Sequence, residues 1–384
     1  MKPNDLLKGI NVLDVGIFGV GPFSCSFLGR LGADVTRIEP PGIDNTYFVM
    51  PQKQDASTIY IVIQANKRNI MLNLKTEAGK EIALRLAKKA DVIIQNHQPH
   101  VMKKLGLTYE IVREINPRVI YLSNSGYGHK GPLARTPSAD SYQQAMSGFA
   151  TVSGAPGSKG ELLRQSLHID ISCAMGVCGA VFLALLAREK TGVGQKIETS
   201  QFEVALSIQS SRIAEYFATG KSPEPMGSAN TLIVPSQAFK TYDGSYINVS
   251  VPREEYWPKL CRALGLESIE NDPRFTTNKK RVENREQLIE ILQEKFLDEP
   301  ARWWLILLQR NDVPCGPYYT YDNIVTDPHV VANKMLQIVN TPWGEVMYTS
   351  FPAKFSKVST VIKPALRPDS SRKEILEEVG YKET

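Results

Sequence analysis

The sequence lacks an apolar run of bilayer length, is poor in cysteine and carries little excess charge. Its longest uncharged apolar stretch, Ile171 to Leu186, falls short of the roughly 20 residues that cross a bilayer as a helix. The opening MKPNDLLKGINVLDVG interrupts its apolar positions with polar ones and has no signal-peptide core. Both features predict a cytoplasmic protein with no membrane partner. The cysteines, Cys25, Cys173, Cys178, Cys261 and Cys315, are scattered and odd in number. That spacing predicts buried thiols in a reducing compartment rather than a disulfide framework. A net charge of +5 with 22% charged residues suits small anionic ligands bearing phosphates. No Lys/Arg stripe or aromatic-plus-basic module marks a nucleic-acid partner. Internal repeats and low-complexity tracts are likewise missing.

What is present is enough apolar sequence, 42% of 384 residues, for a substantial core, and at this length two domains are expected. Gly9 to Val15 reads as a strand, Gly16 to Pro22 as a tight glycine turn, Phe23 to Leu31 as a helix and Ala33 to Glu39 as a second strand. Asn66 to Leu74, Asp91 to Gln95 and Arg118 to Ser123 are further strands, the last two continuously apolar as in a buried parallel sheet. Helical periodicity falls between them, so the fold class is α/β, a doubly wound, mostly parallel open sheet. Loops that follow the strands of such a sheet gather at one edge and build its site. Here they read GIFGVGP, NHQP and SGYGHKGP. The glycines approximate a dinucleotide fingerprint, yet Pro22 sits inside it and any α/β unit can open with such a turn.

The remainder predicts a smaller α+β domain. Its hairpin joins FKTY to SYINVSV through Asp243-Gly244. The expected division is a large domain over residues 1–200, to which 327–384 return, a linker over 201–228 and the small domain over 229–326.

Ile171 to Leu186 is apolar all round, which predicts a helix buried on every side. Arg188, Lys190 and the glycines 192 and 194 close it, and Gln195 to Thr199 alternates as a strand. Asp170 stands at its head. A helix cap and a reactive carboxylate are both open to that residue, and periodicity does not separate them.

Ordered blocks over nearly the whole chain settle a family resemblance. They include GINVLDV…GP…LGRLGADVTRIEPPG, NKRNIMLNLKTEAGKE, ADVIIQNHQPHVMKKLGLTYE, NPRVIYLSNSGYGHKGP, LLAREKTGVGQKIETSQFEVAL, DPRFTTNKKRVENREQL and VPCGPYYTYDNIVTDPHV. The sequence resembles the class III (CaiB/BaiF-type, formyl-CoA transferase-like) coenzyme A transferases. The resemblance implies transfer of CoA from an acyl-CoA donor, with succinyl-CoA one option, to a small carboxylic acid. CoA and its thioester are then substrates, with no permanently bound cofactor. It also implies that Asp170 is the nucleophile, passing through a mixed anhydride and an aspartyl-CoA thioester, kept ionised by the helix dipole. Leu72, Lys75, Asn96, His97 and Lys104 match CoA-binding positions, Lys104 where the formyl-CoA enzymes have arginine. His97 and His100 form an HxxH pair without further ligands, so no metal is expected. Phe18, Tyr142, Gln143, Arg164 and Gln165 are candidate pocket residues from their nearness to these motifs.

The family assembles as interlocked dimers, implying a homodimer here, or a hetero-oligomer with a paralogue. Three departures stand out. Gly19 replaces a glutamine of the oxalate-type enzymes, Pro40 replaces an arginine, and their glycine lid corresponds to MGSANTL; together these argue against oxalate. Two alternatives remain. One is an α-methylacyl-CoA racemase or epimerase, although Ala139 stands where racemases carry histidine and His129 and His168 lie elsewhere. The other is a non-catalytic subunit of a heteromeric CoA-transferase.

Overall fold

A computed structural model describes residues 6–42, 44–158 and 166–383; Arg164 and Gln165 lie outside them. Six short strands pair side by side, all parallel: β1 (Asn11–Asp14), β2 (Asp34–Glu39), β3 (Arg68–Met71), β4 (Val92–Gln95), β5 (Ile120–Ser125) and β6 (Gln195–Ser200). Their order is β3-β2-β1-β4-β5-β6. The order reverses between β1 and β4, so the loops leaving those two strands diverge and open a crevice.

Alternate residues of each strand point to opposite faces. Leu13, Ile38, Ile70 and Ile93 meet helix α2 (Glu77–Lys89) and, from the far end of the chain, Ile375 and Leu376. Val12, Ile94, Ile120 and Leu122 meet α1 (Val20–Arg30) and the long helix His168–Thr191. The fold class expected from the sequence, a doubly wound parallel sheet, is the one observed. Three more helices matter to the site: α3 (Pro99–Leu105), α4 (Asp140–Met146) and, after α5 (His168–Thr191), α6 (Gln201–Ser207).

Helix α5 departs from expectation. It begins earlier than its apolar run, with His168 as its first residue. Ile169, Cys173, Val177, Val181 and Ala184 are buried, whereas Met175, Leu183 and Leu186 are 47%, 69% and 63% exposed. Gly176 and Gly179 on that open side face empty space. The described residues cover one face of an all-round apolar helix and leave the other bare. By length and hydropathy the helix is able to cross a membrane; here its other face is part of the core of an α/β sheet.

A buried ionic cluster lies beneath the first loop. Arg37, wholly buried, donates to Asp14 (3.2 Å), Glu39 (3.3 Å), Asp44 and the carbonyl of Gly16 (3.1 Å). Lys67 also reaches Asp14 (2.8 Å), which accepts the Gly16 N–H (2.9 Å). Burial opposes ionisation of Asp14, but Lys67 and Arg37 outweigh it and hold the carboxyl below its ordinary range. Hydrogen bonds to side chains thereby fix where the chain turns after β1.

A second compact unit is built mainly from Ser222–Asp327. Strands Ser236–Lys240, Tyr246–Ser250 and Cys315–Pro317 form its antiparallel sheet. Phe239, Val249, Trp257, Leu288, Phe296 and Trp304 fill its core. The expected Asp243-Gly244 turn is present, with Gly244 at φ 76° and Asp243 accepting from Thr241 Oγ1 and the Ser245 N–H.

Removing one member of a fully buried ion cluster strands the others without compensation, at a cost of about 3–5 kcal/mol. Arg37→Met should destabilise the protein by about that much in urea unfolding. A change within the ordinary surface range, under about 0.5 kcal/mol, would show the cluster to be dispensable.

Candidate active site

Where the strand order reverses, a cavity of about 470 Å³ opens at the carboxyl ends of the strands. Its walls are the loop after β1 (Ile17–Val20), the loop after β4 (Asn96–Gln98), the end of β5 with Gly126 and Tyr127, the approach to α4, and Asp170 with Gln201. Asn96 ties two of these loops together. Its Oδ1 accepts the Ile17 N–H (2.8 Å), and its Nδ2 donates to the Ile17 and Phe18 carbonyls (2.7 and 3.1 Å). His97 Nε2 lies 2.9 Å from the Val15 carbonyl and its own N–H donates to Gln95. Burial lowers the His97 pKa, so the neutral ring donates through Nε2.

Asp170 is 2% exposed and sits within the first turn of α5, not before it. The helix is capped from elsewhere. Leu167 precedes it in a left-handed conformation (φ 55°), and Asp140 Oδ1, from the start of α4, accepts the N–H groups of Ile169 (2.8 Å) and Asp170 (3.1 Å). The Asp170 carboxylate is thereby free of its own helix. Its Oδ1 accepts from Gln201 Nε2 (2.5 Å). Its Oδ2 points across Gly19, where an added Cβ would stand 2.5 Å from it. Gly19 holds φ 58°, so both backbone and space exclude a side chain there.

The electrostatics also differ from the expected dipole-stabilised anion. Burial, then the charge of Asp140, push Asp170 up to about 7, with the Gln201 hydrogen bond acting in the opposite sense. Cys173, one turn on, is pushed up to about 12 by burial, so its thiol stays protonated and is no competing nucleophile. His129 bonds Ser123 Oγ (2.8 Å) and His168 stacks on Phe149 (centroids 5.0 Å apart).

Of the sequence candidates, Asp170, Asn96 and His97 line the cavity, with Phe18. Leu72, Lys75 and His97 line an adjoining cavity of about 240 Å³ beside Pro40 and Pro41. Lys104, exposed in the last turn of α3, borders neither of these two cavities. Tyr142 is 54% exposed, whereas Gln143 is fully buried. Sequence reading missed Gln201 and the capping role of Asp140. Gln201 follows β6 directly, which the strand-end rule would have flagged.

An open parallel sheet with a buried, high-pKa carboxylate at its switch point is the frame of an enzyme working on a bound small molecule. The model of CoA-transferase family III matches residues 7–370. An acetyl-CoA:oxalate CoA-transferase of Acetobacter aceti is 34% identical, covering 92% of this chain and 90% of that one. The human succinyl-CoA:glutarate CoA-transferase is 32% identical, covering 91% and 80%. A solved CaiB/BaiF family protein from Brucella suis superposes with TM-score 0.86 at 30% identity, covering 97% and 99%. The chain belongs to CoA-transferase family III, and it is a CoA-transferase whose substrates are CoA thioesters.

Carbon-13 NMR of the Asp170 carboxyl should show a titration midpoint near 7. Because the Asp140 charge raises it, Asp140→Asn, which keeps an accepting Oδ1, should move the midpoint down. An ordinary carboxylate midpoint in the unmodified protein would contradict the account of burial.

Proposed function

We propose that the enzyme moves CoA from succinyl-CoA, or a comparable acyl-CoA, to a small carboxylic acid by way of Asp170. The carrying observation is a carboxylate that is buried, free of its own helix and open on one side to a cavity. Asp170 Oδ2 attacks the donor thioester and expels CoA thiolate, leaving a mixed anhydride. The thiolate returns to Asp170 Cγ, releasing the donor acid and forming an aspartyl-CoA thioester. The acceptor carboxylate attacks that thioester, and the thiolate then takes the acceptor acyl group, regenerating Asp170. Each step exchanges thiolate for carboxylate or the reverse, so no proton needs to move. Leu72, Lys75 and His97, around the adjoining cavity, with Asn96 between the loops and Lys104 on α3, are the proposed CoA contacts. Lys104 serves as a solvated charge for a phosphate.

The relatives' names mention both oxalate and glutarate, so the acceptor panel spans both. A racemase reading has little support. A two-base mechanism needs a histidine free to move a proton at the cavity, whereas His97 is committed to Val15 and Ala139 lines the wall.

The test pairs succinyl-CoA and acetyl-CoA with oxalate, glutarate, succinate and acetate. Transfer should fall by at least about 10⁴-fold in Asp170→Ala, and intact mass should show a CoA adduct on the unmodified enzyme alone. Wild-type rates in Asp170→Ala, or proton exchange at the α carbon without transfer, would overturn the proposal. Below pH 7 the rate should decline as Asp170 protonates.

We further propose that the enzyme is an interlocked homodimer in which the bare stripe of α5 meets a second copy. The partner's small domain, residues 229–326, would complete the site over the large domain of 1–200 and 327–384. Sedimentation of the unmodified protein should give a dimer, and Leu183→Glu with Leu186→Glu should weaken it. A folded, active monomer at high dilution would refute this assembly.

A further inference from the structure

The cavity wall holds a chain of hydrogen bonds that ends on Asp170 and that no step above has used. Gln143 Nε2, from α4, lies 2.5 Å from Ser138 Oγ; Ser138 Oγ lies 3.0 Å from Gln201 Oε1; Gln201 Nε2 reaches Asp170 Oδ1. Valence fixes the direction. An ionised carboxylate only accepts, so Gln201 must turn its NH₂ to Asp170 and its carbonyl to Ser138. Ser138 then gives its proton to Gln201 and accepts from Gln143. All three donations run toward the carboxylate.

The chain is held in place by its surroundings. Ser200 caps α6 by accepting the Glu203 N–H (3.1 Å), which sets Gln201 as the first helical residue. Gly126 makes room for Ser138, since a Cβ there would stand 2.1 Å from Ser138 Cβ. Gln143 is fully buried, and its Oε1 has no hydrogen-bond partner among the described residues. Gln201 is therefore poised as a fixed donor rather than a mobile surface amide.

We propose that Gln201 is a second catalytic residue, holding Asp170 Oδ1 as the permanent carbonyl oxygen and stabilising the oxyanion that forms on it, while Oδ2 is the oxygen exchanged in each turnover. When CoA thiolate attacks Asp170 Cγ, the C–S bond forms and the carbonyl pair moves onto Oδ1. Gln201 Nε2 donates to that oxyanion. The pair then returns, the bond from Cγ to the bridging oxygen breaks, and the donor acid leaves as carboxylate carrying the former Oδ2. The acceptor carboxylate repeats the cycle at the same carbon, with thiolate leaving and the acceptor's oxygen taking the Oδ2 place. The same donor thus serves both tetrahedral intermediates at Cγ, as a preorganised oxyanion donor would. Ser138 and Gln143 are positioning residues that keep the amide from turning over.

This inference rests on Asp170 being the nucleophile, and oxygen labelling separates the two. The enzyme is cycled with succinyl-CoA made from, and mixed with, fully ¹⁸O-labelled succinate, or the acetyl pair, and the Asp170 peptide is weighed. The expected result is incorporation that stops at one ¹⁸O, because only the Oδ2 place exchanges. In Gln201→Met the carboxylate is free to turn, so labelling should pass on toward two, with kcat lower by about 100- to 1,000-fold and KM little changed. Ser138→Ala should lower kcat roughly five- to tenfold, a single hydrogen bond's worth, with the same drift toward two labels. Both variants should match the unmodified protein in thermal unfolding and dimer content. Two labels in the unmodified enzyme, or an unchanged kcat in a folded Gln201→Met, would overturn the role of Gln201 and leave Asp170 standing. No label at Asp170 with either pair would overturn the covalent reading, and this inference with it.

Discussion

One carboxylate, withdrawn from water but not bonded to its own helix, is the constraint around which this protein is arranged. A carboxylate in the first turn of a helix would ordinarily satisfy nearby amides and remain a strong acid. Asp140 removes that option by taking the Ile169 and Asp170 N–H groups itself. Asp170 is left with burial and a neighbouring negative charge, which favour its neutral form, and, among the described residues, one side-chain donor, Gln201, which favours its anion. A carboxylate with a pKa near working pH is a better nucleophile than a fully stabilised one and still a competent leaving group. Those two properties are what the proposed acyl exchange at Asp170 requires.

The rest of the large unit holds the opposite wall against that carboxylate. Gly19 has to approach within a distance that no side chain tolerates, in a backbone conformation that favours glycine. Such a loop would drift if only its own backbone fixed it. The cluster of Arg37, Asp14 and Lys67 fixes its beginning, and Asn96 fixes its middle through three hydrogen bonds. Asn96 thus acts on the protein's own loop in addition to any contact with CoA. The doubly wound sheet supplies the place, since the loops after β1 and β4 part only where the strand order reverses.

Much of the architecture was legible in the residues. Short apolar runs separated by helical periodicity and glycine turns are a local signal, and the sheet followed them. The ordered family blocks pointed to Asp170. What the sequence did not carry were the relations between distant segments. Asp170 read as a possible cap because the true cap, Asp140, lies 30 residues away and Leu167 gives no glycine-like warning of its left-handed backbone. Gln201 drew no reading from the sequence, because its partners, Ser138 and Asp170, come from other segments. Helix α5 read as buried all round because hydropathy reports what a side chain prefers, not whether the same chain supplies the cover.

The most direct measurement is a crystal structure of the enzyme frozen during turnover with succinyl-CoA. The account predicts continuous density from Asp170 Cγ to the CoA sulfur, with the remaining carbonyl oxygen on Gln201 Nε2 and the vacated side facing Gly19. An intact thioester in the cavity beside an unmodified Asp170, in crystals that turn over, would contradict it.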